Sequence, residues 1–447
     1  MVELQGANVA VWGIGVEGCA AARYAMHSGA ASIVGVVDAP LADLEAWERA
    51  SHGAQVFAGL EGEDALRGAD VVLRSPGISI HRPLVRDLRA KGTAVIGGTA
   101  IFLEQRGALT IAVTGSKGKS TTSALIAHLL TALGSHTIHA GNIGTPTLDL
   151  LLEPQPDYYV LEISSFQASD VTVSPRVVVL TSLFPDHLDW HGNESTYYDD
   201  KLRLADGAPA FVVANAADTE QRARLAGRSD VVWYSSPATW NAQGRNLRHA
   251  DITHLTLPTT RLIGEHNAAN VCAALTALEA VGVDVRACAA ILQVAIDSFA
   301  PLAHRLELVA SVDSVDYIDD SLSTSPHAAI AALQAFADRP VTLIAGGHDR
   351  GMSFGPLALH IAARSEWTAV VTLPANGPHL SATLEEMKAG ITTIDVPDLD
   401  HAVRVAGQIT PPGGIVLLSP AAPSFGQFTD YADRSNAFLA AIGRLEP

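Results

Sequence analysis

Short runs of aliphatic and β-branched residues recur along the chain. Each is closed by glycine, serine or proline and followed by a stretch whose apolar positions return at helical spacing. In the first set, NVAVW is predicted as a strand that turns through Gly13, Gly15 and Gly18 into a helix. SIVGVVDAP is a second strand ending at Asp38, and ADVVLRSPGIS holds a later one. The second set starts near Leu109, where Thr110 to Val113 reads as a buried strand, Gly115 and Gly118 allow a tight turn, and an amphipathic helix follows from Ser120. It continues through DYYVLEISS, RVVVLTSL and APAFVVANAAD to the helical NAANVCAALTALEAVG and ends around Phe299. The third opens at HRLELV and runs through VDYIDDSLSTSP, PVTLIAGGHDRG, WTAVVTL and GIVLLSPAAPSFGQF. Alternating β and α predicts the α/β class with parallel sheets, in three domains at residues 1–108, 109–300 and 301–447. Ligands of such sheets lie beyond the carboxyl ends of the strands, where most of the polar clusters fall.

Composition narrows the partners. With 447 residues and 48% hydrophobic content the chain can bury several cores, and its formal charge of −18 argues against nucleic acid. Local cations such as Lys119 are left for specific anion binding. Cys19, Cys272 and Cys288 are few, odd in number and far apart, fitting neither a metal cluster nor a disulfide framework; buried small hydrophobes in a reducing compartment are expected. There is no basic segment leading into an apolar core at the start, and no apolar run of the roughly 18–20 residues that span a membrane. A soluble cytoplasmic protein without a membrane partner is the expectation.

TIAVTGSKGKSTTSAL carries the clearest chemistry. A strand, a glycine loop and a helix start aim backbone N–H groups and a helix dipole at one point, Lys119 adds a point charge, and Ser120 offers Mg²⁺ a hydroxyl. The loop departs from G-x-x-x-x-G-K-[ST], because Val113 stands five before Gly118 and the first glycine is Gly115. A bare strand-to-helix turn would not ask for Lys119, Ser120, Thr121 and Thr122 in succession. Gly13-x-Gly15-x-x-Gly18 with Asp38 twenty residues later imitates a dinucleotide fingerprint, yet the same geometry receives any diphosphate. Glu162, beyond a buried strand and followed by Ser164, Ser165 and Gln167, suits a metal on the phosphate loop. FPDHLDWHG packs Asp186, His187, Asp189 and His191 after RVVVLTSL and suggests a second metal position.

Taken in order, TGSKGKSTT, GNIG, LEISSFQ, DHLDWHG, Lys201, GEHNAAN, HRLE, DDSLST and LLSPAAPSFGQF resemble the Mur ligases over essentially the whole chain, and among them the glutamate-adding MurD type. The resemblance implies a Rossmann-like N-terminal domain, a central P-loop ATPase-like domain and a Rossmann-like C-terminal domain. It further implies an ADP-forming ligase that joins glutamate to UDP-N-acetylmuramoyl-L-alanine through an acyl phosphate, using ATP and two Mg²⁺ ions, and expected to be a monomer. The N-terminal turn, with Gly15, Val16, Asp38, Ser75, Pro76 and Gly77, would hold the UDP-sugar; Asn142, Ser164 and Gln167 would lie along the muramoyl-alanine arm. Gly115, Ser116, Lys117, Gly118, Lys119, Ser120 and Thr121 would take the ATP phosphates, Asn267 and Asn270 the adenine, Arg305 a phosphate and Asp320 the ribose. Ser120 and Glu162 would bind one Mg²⁺, His187 and a carbamylated Lys201 the other, a carbamate being an oxygen anion where an ammonium would repel the metal. Thr324, Arg350, Ser424 and Tyr431 would hold the incoming glutamate, with Lys119, His187 and Lys201 forming the catalytic set.

Two departures fall in the amino-acid pocket. Typical D-glutamate ligases read Asp-Ser-Lys with threonine two residues later, whereas this chain reads Asp320-Ser321-Leu322-Ser323-Thr324; Gly426 also stands where aspartate is common. Losing a cation beside a dicarboxylate asks for another pose, which favours the branch that adds L-glutamate over the ordinary D-glutamate enzyme. A folate-type glutamate ligase does not explain the N-terminal GIGVEG and SPG turns. A nucleotide-sensing regulator without chemistry leaves Glu162, His187 and Lys201 unexplained.

Overall fold

The structure, a computed structural model, describes residues 2–38, 44–207, 211–258, 262, 264–300, 304–349, 353–424 and 426–445. The chain forms two compact units, Met1–Pro258 with Asn267–Phe299, and Thr259–His266 with Ala300–Pro447.

The first unit begins with β1 (Asn8–Trp12), β2 (Ser32–Val37), β3 (Val56–Ala58), β4 (Val71–Arg74) and β5 (Ala94–Gly97), a parallel sheet in the order 3-2-1-4-5. Strand order reverses between β1 and β4, whose ends pair Trp12 with Arg74. The helix Val16–His27 buries Gly18, Cys19, Ala20, Ala21, Ala22 and Ala25, small residues that let it lie close on the sheet. A Cβ on Gly18 would collide with the carbonyl of Gly13, so this turn needs glycine there.

A second parallel sheet follows: β6 (Thr110–Thr114), β7 (Thr137–Gly141), β8 (Tyr158–Glu162), β9 (Val177–Leu180), β10 (Phe211–Asn215) and β11 (Val231–Tyr234), in the order 11-10-9-6-8-7. All of β6 is buried, with β8 and β9 on either side of it. The glycine loop after β6 therefore opens between Glu162 at the end of β8 and Thr181 just past β9.

Not foreseen from the sequence is a small antiparallel sheet of β12 (Asn241–Gln243), β13 (Asn246–His249) and β14 (Ile252–Thr256). Its strands are short and mostly polar, so no apolar run announces them; Trp240, Leu247 and Leu255 are their buried anchors.

In the second unit β15 (Glu307–Val312), β16 (Val315–Asp319), β17 (Val341–Ala345), β18 (Thr368–Thr372), β19 (Thr392–Asp395) and β20 (Ile415–Leu418) form one sheet in the order 15-16-20-17-18-19. β15 departs from the parallel pairing of the other strands in this sheet and runs antiparallel to β16. The cause is local: Asp313 and Ser314 both take positive φ, 50° and 65°, making the two-residue hairpin turn that joins these strands. Because β20 returns between β16 and β17, the segments after those three strands emerge side by side. These are DDSLST, SPAAPS and the start of GGHDRG.

Of the cysteines, Cys19 and Cys272 are buried as expected, whereas Cys288 is only half-buried; all three are free thiols. Among the described residues no helix is long and apolar enough to cross a membrane.

Candidate active site

The glycine loop is held from below by the ends of β6 and β9. Ser116 N donates to Ser182 O at 2.7 Å, Lys117 N to Ser182 Oγ at 2.9 Å, and Ser116 Oγ to Phe184 O at 2.6 Å. Gly115 (φ 147°) and Gly118 (φ 90°) occupy the left-handed half of backbone space, and a Cβ on Gly118 would lie 2.6 Å from Asn270 Oδ1. Asn270 thus sits against the loop, with Asn267 Oδ1 accepting from its Nδ2 at 3.3 Å. Lys119 folds back over the loop, its Nζ donating to Gly115 O at 3.0 Å and Ser116 O at 3.2 Å. Ser120 and Thr121 lie in the first turn of the helix Lys119–Ala132.

Lys201 points into the same place. It is fully buried, donates to Gly115 O at 3.0 Å and lies 4.9 Å from the centre of the Tyr197 ring. Burial, then the neighbouring ammonium of Lys119, hold its pKa well below the usual lysine range, against the opposite pull of Asp186 and Glu162. Glu162 Oε1 accepts from Asn142 Nδ2 at 2.8 Å, while its buried Oε2 has no hydrogen-bond partner among the described residues. An orphaned carboxylate oxygen is costly unless a cation or donor meets it, so this donor set fits a hard divalent ion. His187 adopts φ 52° and packs edge-on against Phe166, ring centres 4.9 Å apart. Burial pushes its pKa down, against Asp186 and together with Lys119 and Lys201, which favours the neutral imidazole that metals bind.

His191 does not join that group. Its Nδ1 meets Asp200 Oδ2 at 2.7 Å and its Nε2 meets Ser165 Oγ at 2.9 Å, and His81 Nε2 reaches the same Asp200 oxygen at 2.7 Å. The side chain of Asp189 lies outside the described residues.

At the switch point of the first sheet, Gly15 caps the helix that begins with Val16, which is 72% exposed. Ser75 Oγ donates to Gly13 O at 2.5 Å, tying the Ser75–Pro76–Gly77 turn to the glycine loop. Asp38 pairs with Arg82 through two bonds of 2.9 and 2.7 Å, and this partner holds its carboxyl below the usual range. Both line a cavity of about 440 Å³ with Trp12, Leu66 and Arg67. Ser164 caps the short helix Ser165–Ala168 in a reciprocal pair with Gln167, whose Nε2 donates to Glu17 Oε1 at 3.2 Å.

The second unit gathers its own predicted residues. Asp320 is buried, accepts from Ser419 Oγ at 2.7 Å and has its pKa raised to about 6, by burial first, with Arg305 opposing. Ser424 is buried and Tyr431 is 43% exposed; Thr324 lies in the same DDSLST turn, and Arg350 falls outside the described residues. Sequence reasoning missed Arg434 here, a buried guanidinium that donates to Ser321 Oγ and O and to Ala422 O at 2.7–3.0 Å. No periodicity distinguishes it from a surface arginine of a helix. Arg74 was missed too, although a lone cation ending the apolar run VVLR was a readable signal.

The chain matches the family models for the Mur ligase MurD-like N-terminal domain over residues 7–97, the Mur ligase middle domain over 113–278 and the Mur ligase glutamate ligase domain over 304–422. It is 44% identical to a UDP-N-acetylmuramoyl-L-alanine--L-glutamate ligase from a Micromonospora species, across 98% of this chain and 97% of that one. It is 40% identical to a protein of the same name from Xanthomonas axonopodis pv. citri, across 99% and 96%. The chain belongs to the Mur ligase family. It is accordingly an ATP-dependent ligase with the three-domain α/β fold, the first domain and all of the middle-domain match except Thr259–His266 belonging to the first compact unit. Solved Mur ligases share the fold at low identity. UDP-N-acetylmuramate-alanine ligase of Thermotoga maritima matches with TM-score 0.60 and 19% identity over 98% of this chain and all of that one. MurF of Acinetobacter baumannii matches with 0.62 and 15% over 98% and 93%. Mur ligases use ATP and Mg²⁺, and MurF of Thermotoga maritima, TM-score 0.57 and 15% identical over 99% of this chain and 96% of that one, was solved with ADP.

Proposed function

We propose that this Mur ligase adds L-glutamate to UDP-N-acetylmuramoyl-L-alanine in peptidoglycan precursor synthesis, acting as a cytoplasmic monomer. The observation that carries this reading is full-length identity of about 40% or more to several ligases of that name. The L isomer is further supported by Leu322 and Gly426, both in the segments assigned to glutamate. In this reading residues 1–108 bind the UDP-sugar, 109–300 bind ATP and 301–447 bind glutamate. The cavity beside Asp38, Trp12 and Arg82 suits the uridine end, Ser75–Gly77 the diphosphate, and Asn142, Ser164 and Gln167 the muramoyl-alanine arm. Thr324, Arg350, Ser424 and Tyr431 receive the amino acid.

A carboxylate is a poor acceptor for an amine, so the substrate must be activated. Its oxygen attacks the γ-phosphorus of ATP; the bond to the β–γ bridging oxygen breaks and ADP leaves, giving an acyl phosphate. The glutamate nitrogen then attacks the acyl carbon, and the tetrahedral adduct expels phosphate with the electron pair of the C–O bond as the nitrogen sheds its proton. Lys119 and the loop N–H groups offset the charge of two approaching anions. Ser120 and Glu162 would hold one Mg²⁺, and His187 and Lys201 the other. Bound Mg²⁺ supplies positive charge to the phosphoryl oxygens. Lys201 suits carbamylation, since a neutral buried amine can attack CO₂, forming an N–C bond and releasing a proton, whereas an ammonium cannot.

Phosphate release tests the reading. It should require ATP, UDP-N-acetylmuramoyl-L-alanine and glutamate together, and equal release with either acceptor left out would overturn it. Lys201→Ala should lose most activity and regain part of it with a short added carboxylic acid; full activity without the acid would remove Lys201 from the site.

A further inference from the structure

Arg74 ends β4 at the switch point of the first sheet, yet its side chain is only 1% exposed. Burying a guanidinium is costly unless its donors are met, and here they are met from two sides. Nη1 faces the turn that follows it, donating to the carbonyls of Ser75 (3.3 Å), Pro76 (3.3 Å) and Ile78 (2.5 Å). Nη2 faces the segment after β8 in the second sheet, reaching Asp170 Oδ2 (3.0 Å), Phe166 O (3.3 Å) and Ser169 Oγ (3.4 Å), and Nε adds a bond to the same carboxylate oxygen at 3.3 Å. Asp170 has little room to shift, because a Cβ on Gly97 would lie 3.0 Å from its Oδ1.

Asp170 alone would neutralise the charge. The remaining contacts are with the backbone of one turn and the end of one short helix, and a planar fork is the side chain that can address both at fixed separation. Those two segments carry Ser75–Gly77 on one side and Ser164–Gln167 on the other. We propose that Arg74 is the positioning residue that fixes the spacing between the nucleotide-diphosphate half and the acyl-arm half of the site for the UDP-sugar substrate. This rests on the roles proposed above for those two segments. A ligand that spans both halves feels the spacing; one that occupies a single half does not.

The test compares whole and partial ligands on full-length wild type and Arg74→Lys, each checked by thermal melting. UDP-N-acetylmuramoyl-L-alanine should bind Arg74→Lys at least tenfold more weakly, with its KM rising in step and kcat changing less than threefold. UDP alone and ATP should change less than threefold. Equal losses for UDP and the whole substrate would overturn the spacing role in favour of a purely local effect on the turn, and no loss in a folded variant would overturn it outright. If Arg74→Lys does not fold, the charge-neutral pair Arg74→Gln with Asp170→Asn carries the same expectations. Wild type that binds neither UDP nor the whole substrate would instead overturn the functional reading itself.

Discussion

Glu17 brings a carboxyl group into the first turn of the helix Val16–His27, half-buried and hydrogen-bonded to Gln167. Burial, opposed by that hydrogen bond and reinforced by Asp149, raises its pKa from 4.5 to about 7. Between those values the folded chain holds a proton that the unfolded chain has lost, so stability falls as pH rises through the window and levels off above it. Glu17→Gln removes the penalty. Its melting temperature should match wild type near pH 4 and exceed it at pH 8 by the equivalent of about 2 kcal/mol, less than the full shift because part of the group stays in water. A pH-independent difference would contradict this. At Lys119 the expectation is loss of ligation with the fold kept in Lys119→Ala, checked by turnover and melting, since its ammonium folds over the loop and not into a core. Lys119 and Ser120 were legible because neighbours in sequence spell out one loop. Arg434 was not, because its partner Ser321 lies 113 residues away in sequence.

Among the elements, the strand–loop–helix of β6 and Lys119–Ala132 is the one the sequence describes most fully, since an apolar run, two glycines and a helical stripe follow without a gap. Gly118 is the loop glycine that packs against Asn270. Alanine there must take φ 90° and press a methyl against Asn270, which should cost about 1–2 kcal/mol of stability. It should also raise the KM for ATP at least tenfold while leaving that for the UDP-sugar nearly unchanged; unaltered ATP kinetics would remove the loop from ATP binding. The sheet β12–β14 escaped because its strands are short and polar, held by a few buried anchors. The reversal at β15 depended on two consecutive positive-φ residues, Asp313 and Ser314, which resemble any other polar turn in sequence.

At the scale of the whole molecule, the succession of motifs from TGSKGKSTT to LLSPAAPSFGQF identifies the family; TGSKGKSTT, GNIG, LEISSFQ, DDSLST and LLSPAAPSFGQF follow the carboxyl ends of strands, whereas GEHNAAN opens the helix Glu265–Ala280 and HRLE leads into β15. Which glutamate isomer is used cannot be read from strand and loop pattern in the same way, since it turns on the placing of a few charges around one ligand. The L-glutamate preference proposed above rests on Leu322 in the DDSLST turn and on identity of about 40% to ligases named for L-glutamate. The most direct measurement is a parallel assay of the purified chain with ATP, Mg²⁺, UDP-N-acetylmuramoyl-L-alanine and either pure L-glutamate or pure D-glutamate, following both phosphate release and the amide product. L-glutamate should give the faster ligation by at least tenfold in kcat/KM; a clear preference for D-glutamate would contradict the account.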